Sequence, residues 1–218
     1  EFRGDVGIVN GRIVALGSAP DTAAQTIDAT GRVVCPGFID IHTHYDAQII
    51  WDRGLGISPW HGVTTAVVGN CGFGISPMRP EHRRTAMRTL EKVEGMSFDA
   101  LHAGLGDDWG FTTFPEYLAL LESQGSAINV AALVGHTPIR LWVMGEEATE
   151  REATAAELDA MAGLVREAMA AGAIGFSSSQ AATHHGDGGK PVPSRLASFA
   201  EIDPLVGAMA ESGRGIFQ

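Results

Sequence analysis

Two histidines separated by one residue, His42 and His44, close the apolar run Gly37-Phe38-Ile39-Asp40-Ile41. Side chains alternate across a strand with period 2, so both imidazoles are expected on one face. Two neutral imidazoles converging at a strand end begin a site for a divalent cation. Pro36-Gly37, just before the run, is a turn signal that sets where the strand starts. A third candidate ligand, Cys71, follows the strand-like stretch 62–68 inside a Gly69-Asn70-Cys71-Gly72 turn. A thiol beside a divalent cation is deprotonated by it and becomes a tight, soft ligand. The ordinary alternative is a small buried filler, and that is the reading for Cys35, at a strand end before Pro36.

These residues need elements to position them. Apolar patterning predicts strands over 37–42, 62–68, 127–134, 173–177 and 214–218, with helices over 81–94, 115–124, 154–171 and 199–212. Leu158, Met161, Leu164, Val165 and Met169 form the clearest helical stripe. Such alternation predicts a parallel sheet covered by helices, closed as a (β/α)8 barrel or left open and doubly wound. In both, ligands bind at the C-terminal strand ends, which brings Cys71 toward His42 and His44. Histidines follow the first strand where a dinucleotide-binding sheet carries glycines, and that favours the barrel. A whole barrel takes roughly 250 residues, so 36–218 is expected to supply its N-terminal half. Residues 1–35 read as a separate β unit. Its Asn10-Gly11 turn predicts a hairpin of 5–9 with 12–16, and Thr30-Gly31 suggests a second pairing of 26–29 with 32–35.

The formal net charge of -11 argues against a nucleic-acid surface, and Lys92 and Lys190 are the only lysines. No apolar run is long enough to cross a membrane and no signal peptide opens the sequence. The two cysteines give no disulfide framework, which points to a reducing compartment, the cytoplasm. The start at Glu1 and the strand-like close at Gln218 suggest an internal piece of a longer protein.

Several stretches together carry a resemblance. They are Pro36-Gly37-Phe38-Ile39-Asp40-Ile41-His42-Thr43-His44-Tyr45-Asp46, His61-Gly62-Val63-Thr64-Thr65, Gly69-Asn70-Cys71-Gly72-Phe73 and Gly172-Ala173-Ile174-Gly175-Phe176-Ser177-Ser178. With Val134-Gly135-His136-Thr137 and the opening 4–17, they resemble the amidohydrolase superfamily, and within it the D-aminoacylase, or N-acyl-D-amino-acid deacylase, branch. The resemblance implies a metal-dependent TIM barrel with a small β-sandwich domain, to which 1–35 would contribute. It implies a zinc hydrolase of non-peptide C–N bonds acting on a small molecule, an N-acyl-D-amino acid. His42, His44 and Cys71 would be its metal ligands, since the fourth strand lacks the lysine used by related enzymes. The remaining histidine ligands and the catalytic aspartate would lie beyond Gln218, so residues 1–218 alone are expected to be inactive. Another cyclic-amide or amidine hydrolase, or a non-catalytic metal-binding barrel fragment, is the competing reading.

The resemblance makes His136, at the end of the third strand, a substrate contact or a support for the ligands. Arg140 and Arg195 are loop cations able to hold a substrate carboxylate by a bidentate fork. His184 and His185 lie in a Gly-rich loop as solvated or lid residues, while His61, His82 and His102 read as ordinary polar positions.

Overall fold

The structure, a computed structural model, describes residues 2–20 and 22–218. Contacts divide the chain into two compact units, Glu1–Pro36 and Gly37–Gln218.

In the first unit, strands β1 (Asp5–Val9) and β2 (Arg12–Gly17) pair antiparallel. Asn10 and Gly11, at φ 50° and 72°, supply the two left-handed residues that a type I′ turn demands. The second expected pairing does not form. Residues 26–29 and 32–35 carry no strand, and only the turn bond from Arg32 N to Ala29 O joins them. Ile27 and Val33 are 80% and 81% exposed, so neither side of that turn finds an apolar face to lie on. Short strands without a third strand or a core have little to hold them.

In the second unit, five parallel strands run in spatial order β3 (Phe38–Asp40), β4 (Val63–Val68), β5 (Asn129–Gly135), β6 (Gly175–Ser177) and β7 (Ile216–Phe217). Parallel strands in sequential order, joined by 3-10 turns between β3 and β4 and by helices after that, make this curled sheet the first half of a TIM barrel. Helices α1 (Arg83–Glu94), α2 (Phe98–Leu105) and α3 (Phe114–Gln124) fill the crossover between β4 and β5. Helices α4 (His136–Met144) and α5 (Ala155–Ala171) connect β5 to β6, and α6 (Phe199–Ala210) connects β6 to β7.

Val68, Val134 and Phe176 meet Met161, Val165 and Met169 of α5 and Leu205 of α6 in one continuous core. The α5 stripe therefore faces as its spacing predicts, although Leu158 and Leu164 sit at its half-buried margin. Two helices escape sequence pattern. Helix α2 is only 8 residues long. Helix α4 starts directly after β5 on Gly135, with no side-chain cap to announce it. By contrast, α3 and α5 open on reciprocal capping boxes, Thr113 with Glu116 and Thr154 with Glu157. Thr154→Ala is expected to cost about 1 kcal/mol through loss of its cap on the Glu157 N–H. Urea denaturation measures this, and an unchanged midpoint would show that α5 is held by packing alone.

Candidate metal centre

Strand β3 ends at Asp40, two residues short of His42. Pairing nevertheless continues past it. The Thr43 N–H donates to Val67 O at 3.1 Å and the Thr43 hydroxyl to the same oxygen at 2.6 Å. That anchors the residue between the two histidines to the end of β4. Cys71 follows β4 in a tight turn, so the HxH segment and the cysteine meet at the C-terminal rim.

One ligand atom each from His42, His44 and Cys71 all lie within 4.8 Å of one another. Cys71 Sγ and His42 Nε2 are 3.1 Å apart, and the two imidazole centroids 5.3 Å. His42 is exposed, whereas His44 and Cys71 are half-buried. Burial first, then the neighbouring His42 and His184, lowers the pKa of His44 to about 4. At neutral pH its ring is therefore uncharged, the form that ligates a metal. Phe73 forms the wall between His44 and the next loop, 6.1 Å from the His44 ring and 5.1 Å from that of His184. Two imidazoles and a thiol at this spacing suit zinc, which accepts nitrogen and sulfur donors without a strict geometric demand.

Of the other expected contacts, His136 and Arg140 are taken up in an internal cluster, whereas Arg195 lies against the wall of the site. His136 is the first residue of α4 and is wholly buried. Its Nδ1 is 2.8 Å from Ser178 Oγ and its Nε2 is 2.8 Å from Glu201 Oε1. Glu201 is ionised and can only accept, so Nε2 carries the proton and Nδ1 accepts from Ser178. Arg140, also wholly buried, lies on α4 and not on a loop. Its Nη1 donates to both carboxylate oxygens of Glu201, and its Nη2 donates to Ala148 O at 3.2 Å and Arg151 O at 2.7 Å. This corrects the reading of Arg140 as a cation open to substrate: its guanidinium is committed to an internal carboxylate and two carbonyls. Arg195 stays half-buried on a 3-10 turn, with Nη1 donating to His184 O at 3.0 Å. His184 belongs to the wall of the site: its Nδ1 is 2.8 Å from Ser179 Oγ, and burial, then Arg195, lowers its pKa. The ring of its exposed neighbour His185 bonds locally, to Thr183 O at 3.1 Å.

Residues 25–211 match the amidohydrolase family profile. The chain belongs to the amidohydrolase family. It is 38% identical over 212 residues to the N-acyl-D-glutamate deacylase of Alcaligenes xylosoxydans xylosoxydans, covering 97% of this chain and 38% of that protein. Among solved structures, N-acyl-D-glutamate deacylase from Bordetella bronchiseptica, complexed with zinc and a phosphonate mimic of the tetrahedral intermediate, superposes with a TM-score of 0.75. Its identity is 36%, over 99% of this chain and 40% of that one. A D-aminoacylase studied for its binuclear metal centre gives a TM-score of 0.76 at 34% identity, over 97% of this chain and 40% of that one. These similarities place the amidohydrolase chain on the D-aminoacylase branch. It spans about a third of the length of the curated relatives it matches. No helix of the described residues is long and apolar enough to cross a membrane.

Proposed function

We propose that the intact amidohydrolase is a zinc-dependent deacylase of N-acyl-D-amino acids, and that this chain contributes the first-strand and second-strand ligands of its metal centre. The observation that carries the reading is the convergence of His42, His44 and Cys71 within 4.8 Å at the C-terminal rim of a parallel half-barrel. When bound there, zinc would polarise an acyl carbonyl and lower the pKa of a water. The chain's own residues hold and shape the site. Cys71 supplies the soft donor and His44 a neutral imidazole, and Phe73 screens the metal face from the loop beyond. Arg195 is the remaining cation for a substrate carboxylate, since Arg140 is taken up internally.

The relatives named as deacylases of N-acyl-D-amino acids support this substrate class over cyclic amides. The test is hydrolysis of N-acetyl-D-amino acids and their L-enantiomers by the intact protein, with bound zinc measured alongside. Turnover confined to the D-series and lost on chelation is expected. Zinc-free protein with full turnover, or equal rates on both enantiomers, would overturn the proposal.

A further inference from the structure

Cys71 sits at φ 56° and ψ 23°, a left-handed backbone conformation that a residue with a Cβ adopts only at a steric cost. Something must hold it there. Its turn cannot relax by simple substitution either, because a Cβ on Gly69 would lie 2.0 Å from Leu133 O and one on Gly72 would lie 2.9 Å from Ser178 Cα. Three polar side chains converge on this turn.

Ser177, wholly buried at the end of β6, spans it with one hydroxyl. The hydroxyl donates to Gly69 O and accepts from the Gly72 N–H at 3.0 Å, so both of its roles are used on either side of Asn70-Cys71. Asn70, also wholly buried, donates from Nδ2 to Thr43 O at 3.0 Å and Val67 O at 2.8 Å. Both partners are carbonyls, which fixes the orientation of its amide. Thr43 lies between the two histidines, so Asn70 ties the cysteine turn to the HxH segment. Gln218, following β7, completes the set with its Oε1 accepting the Cys71 N–H at 2.8 Å.

We propose that Ser177, Asn70 and Gln218 are positioning residues for the Cys71 thiol, with Ser177 the principal one. They hold the thiol in a strained backbone conformation facing His42 and His44, and they act through the backbone of the turn and of Thr43. The proposal rests on the metal-centre reading above for its purpose, but not for its test.

The test uses the intact protein, with two readouts. In the metal-free state, the rate of maleimide labelling of the Cys71 peptide is followed by mass spectrometry. In the second, cobalt(II) is titrated and the sulfur-to-cobalt charge-transfer absorption recorded. Ser177→Ala is expected to raise the labelling rate about 10-fold and to weaken cobalt binding by about 10–100-fold, with a diminished sulfur band. Val165→Ala, a buried truncation on α5, controls for general loosening and is expected to change neither readout. Labelling in Ser177→Ala at the parent rate, or no faster than in Val165→Ala, would overturn the proposal. Should Ser177→Ala fail to fold, Gln218→Met, at an exposed position, decides the matter by the same labelling rate. A parent protein that shows no sulfur band would defeat the metal-centre reading, while the labelling comparison would still decide the positioning of Cys71.

Discussion

Cys71→Ala is expected to strip zinc from the intact amidohydrolase, whereas His42→Ala is expected to leave much of it bound. An apparent structural-zinc free energy of about 10–16 kcal/mol, divided among four ligands, makes one ligand worth about 3 kcal/mol, or roughly 100-fold in affinity. The two positions differ in how much of that they deliver. Cys71 is half-buried, its turn is held by Ser177 and Asn70, and its N–H is bonded to Gln218. A donor already fixed in place loses little conformational freedom on binding. His42 is exposed, and its ring is held by the Cys71 thiol and the edge of His44 rather than by a buried hydrogen-bonded turn. The thiolate is also the softer ligand, which zinc favours among these donors. Metal content after dialysis against a zinc buffer, compared for Cys71→Ala and His42→Ala, checks the ranking. Equal zinc loss from the two variants would refute it.

The convergence of His42, His44 and Cys71 was legible in the sequence because each part has a local signature. The HxH spacing states which side chains share a face, and strand–helix alternation puts consecutive strand ends on one rim. The Asn10-Gly11 turn and the α5 stripe are equally local. What escaped the sequence depends on partners far along the chain. His136 and Arg140 follow a strand end, where function is expected, yet both point inward onto Glu201, 65 and 61 residues away. Glu201 lies in the first turn of α6, and nothing in its local sequence marks it as the partner of two residues on α4. Ser177 and Asn70 went unread for a related reason, as single small polar residues carry no periodicity. The pairing of 26–29 with 32–35 failed because a Thr-Gly turn predicts a reversal without providing the sheet or core that makes strands persist.

Glu201→Ala is expected to destabilise the fold by about 3–5 kcal/mol, the cost of leaving a buried charge without its partner. Arg140 is wholly buried and Glu201 is 3% exposed, so water cannot replace the lost carboxylate. Burial alone would raise the pKa of Glu201, but hydrogen bonds from His136 and Arg140 outweigh it and hold the carboxyl below its ordinary 4.5. Burial likewise keeps His136 below its ordinary 6.5 and neutral, despite the pull of Glu201. The signs agree. A depressed carboxylate contributes stability above 4.5 that is lost as pH falls through its folded value. A depressed histidine contributes stability above 6.5 that is lost as the unfolded chain begins to take up the proton. Stability from this cluster should therefore start to fall below about pH 6.5 and fall further below 4.5. The gap between parent and Glu201→Ala should be widest above 4.5 and narrow as Glu201 protonates. Urea denaturation across pH 4 to 7 reads both effects. The Arg140→Met/Glu201→Ala double variant, which leaves no buried guanidinium, should lose less than the sum of the two single changes. Strict additivity, or a gap that does not change with pH, would show that Glu201 acts only as packing. The cluster would then have no electrostatic hold on His136 and, through the Ser178 hydroxyl, on the strand end beside the Cys71 turn.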